Sequence, residues 1–81
     1  MKQWTADFAS DPDDDYNIIV EILYDDEDVA VIKYGRDGPE MTWYPSKEKL
    51  VIPVKWLSGL LVEAEKRILA SREVLRNEEQ Y

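Results

Sequence analysis

Apolar residues fall in short blocks along the first half of this chain and at helical spacing along the second half. Residues 16 to 24 read Tyr-Asn-Ile-Ile-Val-Glu-Ile-Leu-Tyr. Such β-branched and aromatic residues suit a pleated, half-buried surface, so the block predicts a strand closed by the polar turn Asp25-Asp26-Glu27-Asp28. Residues 29 to 34 (Val-Ala-Val-Ile-Lys-Tyr) predict a second strand. Gly35-Arg36-Asp37-Gly38 supplies two residues tolerant of positive φ, and Pro39-Glu40-Met41-Thr42-Trp43-Tyr44 reads as a third strand. After a turn-like stretch, Leu50-Val51-Ile52 predicts a short fourth strand ending at Pro53. Beyond it Val54, Leu57, Leu61, Ala64, Ile68, Ser71 and Leu75 alternate at spacings of three and four. That is the seam of a helix, expected over residues 54 to 77, with Pro53 in the first turn and Glu63 and Arg67 paired one turn apart.

The fold class expected is therefore α+β: an antiparallel meander of three to four strands followed by one long C-terminal α-helix. Residues 1 to 15 read as an acidic, largely irregular arm, because Phe-Ala-Ser-Asp-Pro-Asp-Asp-Asp joins a breaker to four acids. Residues 16 to 81 read as a single domain, with Trp4 and Phe8 of the arm available to dock on it.

Two four-residue turns would set Tyr24 against Val29 and Tyr34 against Pro39, hence Lys33 against Glu40 and Val29 against Tyr44. One sheet face then carries Ile19, Leu23, Ala30, Ile32, Met41 and Trp43. The other carries Tyr16, Ile18, Val20, Ile22, Tyr24, Val29, Val31 and Tyr44. Both faces come out too apolar to be simply solvated, so the helix is expected to cover one, and the arm, a second copy or a partner the other. A helix of roughly 36 Å would also outrun a domain about 30 Å across. Its last turns should overhang or pack on another subunit, and a homodimer is expected.

Charge adds the functional hint. Residues 1 to 28 hold ten of the eighteen acids and one base, Lys2, whereas residues 29 to 57 hold five bases and three acids; the net charge is -8. An acidic region of this density repels nucleic acid and acidic membranes and attracts basic protein surfaces. With no Cys and no His, disulfides, thiolate sites and the commonest general base are excluded. No stretch approaches the roughly 18 apolar residues of a membrane span, and nothing resembles a signal peptide, so a cytoplasmic protein is expected.

The segment Thr42-Trp43-Tyr44-Pro45, the polar turn with Glu48-Lys49, a short apolar strand and a terminal helix together resemble the positive-cofactor type of single-stranded DNA-binding coactivators and their bacterial and phage relatives. The resemblance covers residues 29 to 70. It implies dimerisation through the helix and single-strand binding at Lys33, Arg36, Trp43, Tyr44 and Lys47. The acidic hairpin at residues 25 to 28 departs from it, since bases are expected there. The same Thr-Trp-x-Pro segment is also similar to chromodomains, whose aromatic cages bind methyl-lysine.

Each of these residues has a plainer reading: Trp43 and Met41 as core, Trp56 as a lid on the sheet, Tyr24, Tyr34 and Tyr44 as ordinary amphipathic strand residues. The acidic runs lack the ligand spacing of a calcium loop, and Gly35-Arg36-Asp37-Gly38 has no helix after it to make a phosphate site. No cofactor, metal or enzymatic constellation is expected. The first reading is a small acidic protein-binding module or inhibitor whose Asp13, Asp14, Asp15, Asp25, Asp26, Glu27 and Asp28 occupy a basic, nucleic-acid-binding site on a protein target. An origin in a phage or another mobile element suits that reading and would place it in the host cytoplasm. The alternative is the single-strand binder of the positive-cofactor type.

Overall fold

The computed structural model describes the backbone of residues 3–79 and the side chains of residues 3–72. Four strands, β1 (Trp4–Asp11), β2 (Asn17–Tyr24), β3 (Glu27–Tyr34) and β4 (Pro39–Trp43), form one antiparallel meander in sequence order, and a single helix, α1 (Val54–Glu79), follows. The α+β class and the C-terminal helix are as the sequence predicts. Two of the strand assignments are not.

The N-terminal arm is no arm. Residues 4 to 11 pair along their whole length with β2, from Trp4 opposite Tyr24 to Asp11 opposite Asn17. Residues 3 to 11 alternate strictly only at their start (Gln-Trp-Thr-Ala-Asp-Phe), and the adjoining acids masked that signal. The irregular part is confined to a 3₁₀ turn over Pro12–Asp14, where Asp11 accepts from the Asp13 amide and Asp15 and Tyr16 both take positive φ. Conversely, residues 50 to 52 form no strand. They run as a coil held to the sheet where the Trp4 indole Nε1–H donates to the Val51 carbonyl at 2.9 Å.

The second correction concerns register. Asp25 and Asp26 both take positive φ, 52° and 69°, and form a two-residue turn with Tyr24 opposite Glu27. Two left-handed central residues are the signature of a type I′ hairpin turn, whose twist matches that of the strands it joins. Pairing then shifts by one residue: Leu23 lies opposite Asp28 but Ile22 opposite Ala30, so Val29 bulges out of β3. Tyr24 is expected opposite Val29 but pairs two residues away, with Glu27; beyond the bulge the register is one residue off, Ile22 lying opposite Ala30 rather than Val31, and a slip of one moves every side chain of a strand to the other face. Ile18, Val20 and Ile22 therefore share a face with Ala30, Ile32, Met41 and Trp43, under the helix. Between β3 and β4 the expected register holds, with Lys33 opposite Glu40 and Tyr34 opposite Pro39, and the Tyr44 amide donates to the Val29 carbonyl. The Lys33–Glu40 pair makes no ion pair among the described residues; the Glu40 side chain lies over Gly35 instead.

The core is Val20, Ile22, Ala30 and Ile32 of the sheet against Ala64 and Ile68 of the helix, all at most 3 % exposed. Trp4, Ala6 and Phe8 of β1, with Ile18, Met41, Trp56 and Leu60, pack around it. Trp56 lies beside Trp4, ring centroids 6.1 Å apart, as a lid over this end of the sheet. Trp43 is not core: it is 46 % exposed at the edge of β4. The helix seam is also rotated from the expected one, since Val54 (78 %) and Leu61 (40 %) are exposed while Trp56 and Leu60 turn inward. The Leu75 side chain lies outside the described residues. At 26 residues, α1 is roughly 39 Å long against strands of about 27 Å, and it gives the molecule its longest dimension, 49 Å.

Candidate functional site: the acidic hairpin tip and open sheet face

The helix covers one face of the sheet and leaves the other open. Along the open face Asp7 pairs with Glu21, Glu21 with Val31, and Val31 with Thr42, while Ala9 pairs with Ile19 and Thr5 with Leu23. Ile19, Leu23 and Val31 are half-buried among these polar neighbours. The register shift thus replaces a continuous apolar face by one with carboxylates through its middle. Asp7 opposite Glu21 is a like-charge cross-strand pair, an arrangement that costs stability. Sequence reasoning missed it, because only the pairing of β1 brings these two acids together.

The seven expected acidic residues do not form one patch. Asp25, Asp26, Glu27 and Asp28 make the exposed tip of the β2–β3 hairpin, whereas Asp13, Asp14 and Asp15 sit in the β1–β2 connection at the other end of β2, roughly 25 Å away along the strand. The two ends also differ in character. Asp14 is half-buried, its carboxylate 3.4 Å from Arg72 Nη1, its carbonyl accepting from the Asn17 side-chain amide. Ser71 lies beside it, bonding the Ile18 amide and Asn17 Oδ1. This end of the sheet is clamped to the helix. At the hairpin tip, all four side chains are exposed and none forms an ion pair among the described residues.

The basic and aromatic set is scattered. Trp43, opposite buried Ala30, belongs to the helix-covered face; Lys33, next to buried Ile32, points to the open one. Arg36 sits in the β3–β4 turn and Lys47 in the coil after β4, both exposed, and Tyr44 is 44 % exposed just past the strand. Trp43 and Tyr44 are thus adjacent and accessible, but the bases do not surround them on one surface.

Among the described residues no group of three acidic side chains converges as a metal site would require, and every buried side-chain nitrogen and oxygen has a hydrogen-bond partner. No described helix is long and apolar enough to cross a membrane. No family model, curated protein or solved structure matches the chain.

Proposed function

We propose that this protein is a small, non-enzymatic, acidic protein-binding module that uses the β2–β3 hairpin tip to occupy a basic, nucleic-acid-binding surface on a protein target. The observation that carries this reading is the turn itself. Asn-Gly or a similar pair is the favoured occupant of two left-handed turn positions, yet Asp25 and Asp26 stand there, and Glu27 and Asp28 continue the run. Four carboxylates outside any ion pair among the described residues, on a turn flanked by β1, spend stability on charge density. Carboxylates so placed can stand in for backbone phosphates toward the Arg and Lys side chains of a target. Glu21 and Asp7 extend the negative surface from the tip onto the open face. Asp13, Asp14 and Asp15, at the opposite end, fall outside it as a contiguous surface. A phage or other mobile-element origin, and action in the host cytoplasm, belong to the same proposal.

The test is displacement of a labelled DNA duplex from purified basic DNA-binding proteins. The wild-type protein should release DNA in a salt-sensitive manner, and a variant with residues 25 to 28 all replaced by Lys should not, while keeping the same circular dichroism spectrum. Equal displacement by both proteins rejects the acidic-tip reading. The exposed neighbours Trp43 and Tyr44 favour the positive-cofactor type of single-strand binder as the second reading. A direct, salt-dependent shift of labelled single-stranded oligonucleotide, lost on Trp43→Ala, would select it.

A further inference from the structure

Among the described residues, seven of the eight exposed large hydrophobic residues lie from β4 onward, and four of them, Val54, Leu61, Val62 and Leu69, are on α1. At 100° per residue these four form one stripe, roughly a third of a turn round the helix from the Leu60–Ala64–Ile68 stripe that faces the sheet. Arg67, on one flank of the buried stripe, caps the Phe8 ring of β1 at 4.5 Å. Leu61 is on the other flank and so lies toward β4 and exposed Trp43.

The spacing of the four residues is a palindrome: seven, one, seven. If a second helix lies antiparallel across the first, about a two-fold axis between positions 61 and 62, Val54 meets the partner's Leu69. Leu61 meets the partner's Val62, and Ser58, the one small polar residue in the stripe, meets the partner's Glu65 and can donate to it. An isologous two-fold contact demands this property, that the patch be complementary to itself. A target helix of unrelated sequence would not require it. We infer that the outer stripe of α1 is the interface of a symmetric antiparallel homodimer of this chain, an inference independent of the acidic-tip proposal.

The contact runs about 23 Å along each helix and, with its rim, buries on the order of 1,000 Å² in total, at the low end for a specific interface. Association is accordingly reversible. It leaves the sheet's open face free in both copies. Lys55 and the partner's Lys66 fall on the same rim, and each chain carries a net charge of -8, so screening should strengthen the dimer.

The experiment is sedimentation equilibrium of the full chain from 10 to 500 µM, at low and moderate salt. The wild type should show a concentration-dependent monomer–dimer equilibrium that tightens with salt. Val54→Lys alone and Leu69→Glu alone should each weaken it at least tenfold, with unchanged circular dichroism, since both positions are exposed. The double variant Val54→Lys/Leu69→Glu should recover wild-type affinity to within about threefold, because the two-fold axis sets position 54 against position 69 of the partner; within one chain these positions are about 22 Å apart. A wild type that stays monomeric at 500 µM overturns the inference. So does a dimer untouched by the single variants, or one the double variant fails to restore, which would mean another surface or a parallel register.

Discussion

The Arg72 guanidinium lies 4.1 Å from the centroid of the Tyr34 ring and 3.4 Å from an Asp14 carboxylate oxygen. One side chain of α1 thereby ties the end of β3 to the connection between β1 and β2, three segments far apart in sequence. The ion pair is more than a third exposed and contributes about 0.5 kcal/mol; stacking on Tyr34 adds about as much again. Arg72→Ala should lower stability by about 1 kcal/mol and Asp14→Ala by less, in urea unfolding. A double-mutant cycle should give a coupling of a few tenths of a kcal/mol. If Arg72→Ala unfolds at the wild-type midpoint, the clamp contributes nothing.

Deleting residues 1 to 11 separates a strand from a disordered arm. Trp4, Ala6 and Phe8 pack against the core from β1, and their loss would also bare the edge of β2. The truncated chain should lose its cooperative thermal transition. Retention of the wild-type transition would mean that the segment is dispensable.

Val20→Glu/Ile22→Glu probes the core, since both residues are fully buried. Two unpaired buried carboxylates cost more than the whole stability of a small domain. The variant should be unfolded by circular dichroism at all concentrations. A folded monomer would contradict the register described here.

Gly59 sits in the interior of α1, and a methyl group there would meet no atom within 4 Å. Gly59→Ala should therefore stabilise the protein by about 0.5–1 kcal/mol. Thermal melting is a sufficient readout, with an upward shift of several degrees expected for a domain of this size.

Replacing Asp25-Asp26 by Asn-Gly keeps the turn type and removes two charges. Stability should rise by up to about 1 kcal/mol, while displacement of DNA from basic proteins should fall. A gain in stability with undiminished displacement would leave the turn acids with no part in binding.

The sequence by itself determined the strand-rich first half, the long C-terminal helix, the β3–β4 register and the acidic hairpin, because each rests on neighbours a few residues apart. Two things needed the tertiary structure. The first was the sheet face on which β2 points its side chains: a two-residue turn at Asp25-Asp26 and a bulge at Val29 differ from a four-residue loop by one position, and with a period of two, one position exchanges the faces. The second was the role of residues 4 to 11. Their acids read locally as a solvated arm, but pairing with β2 packs half-buried Phe8 and Trp4 against the core and leaves Asp7 on the open face. Local composition cannot reveal that, since the gain comes from strands and a helix up to sixty residues away. The same pairing brought Asp7 against Glu21, whereas the separation of Asp13 to Asp15 from Asp25 to Asp28 by the length of β2 already followed from the strand the sequence predicts between them.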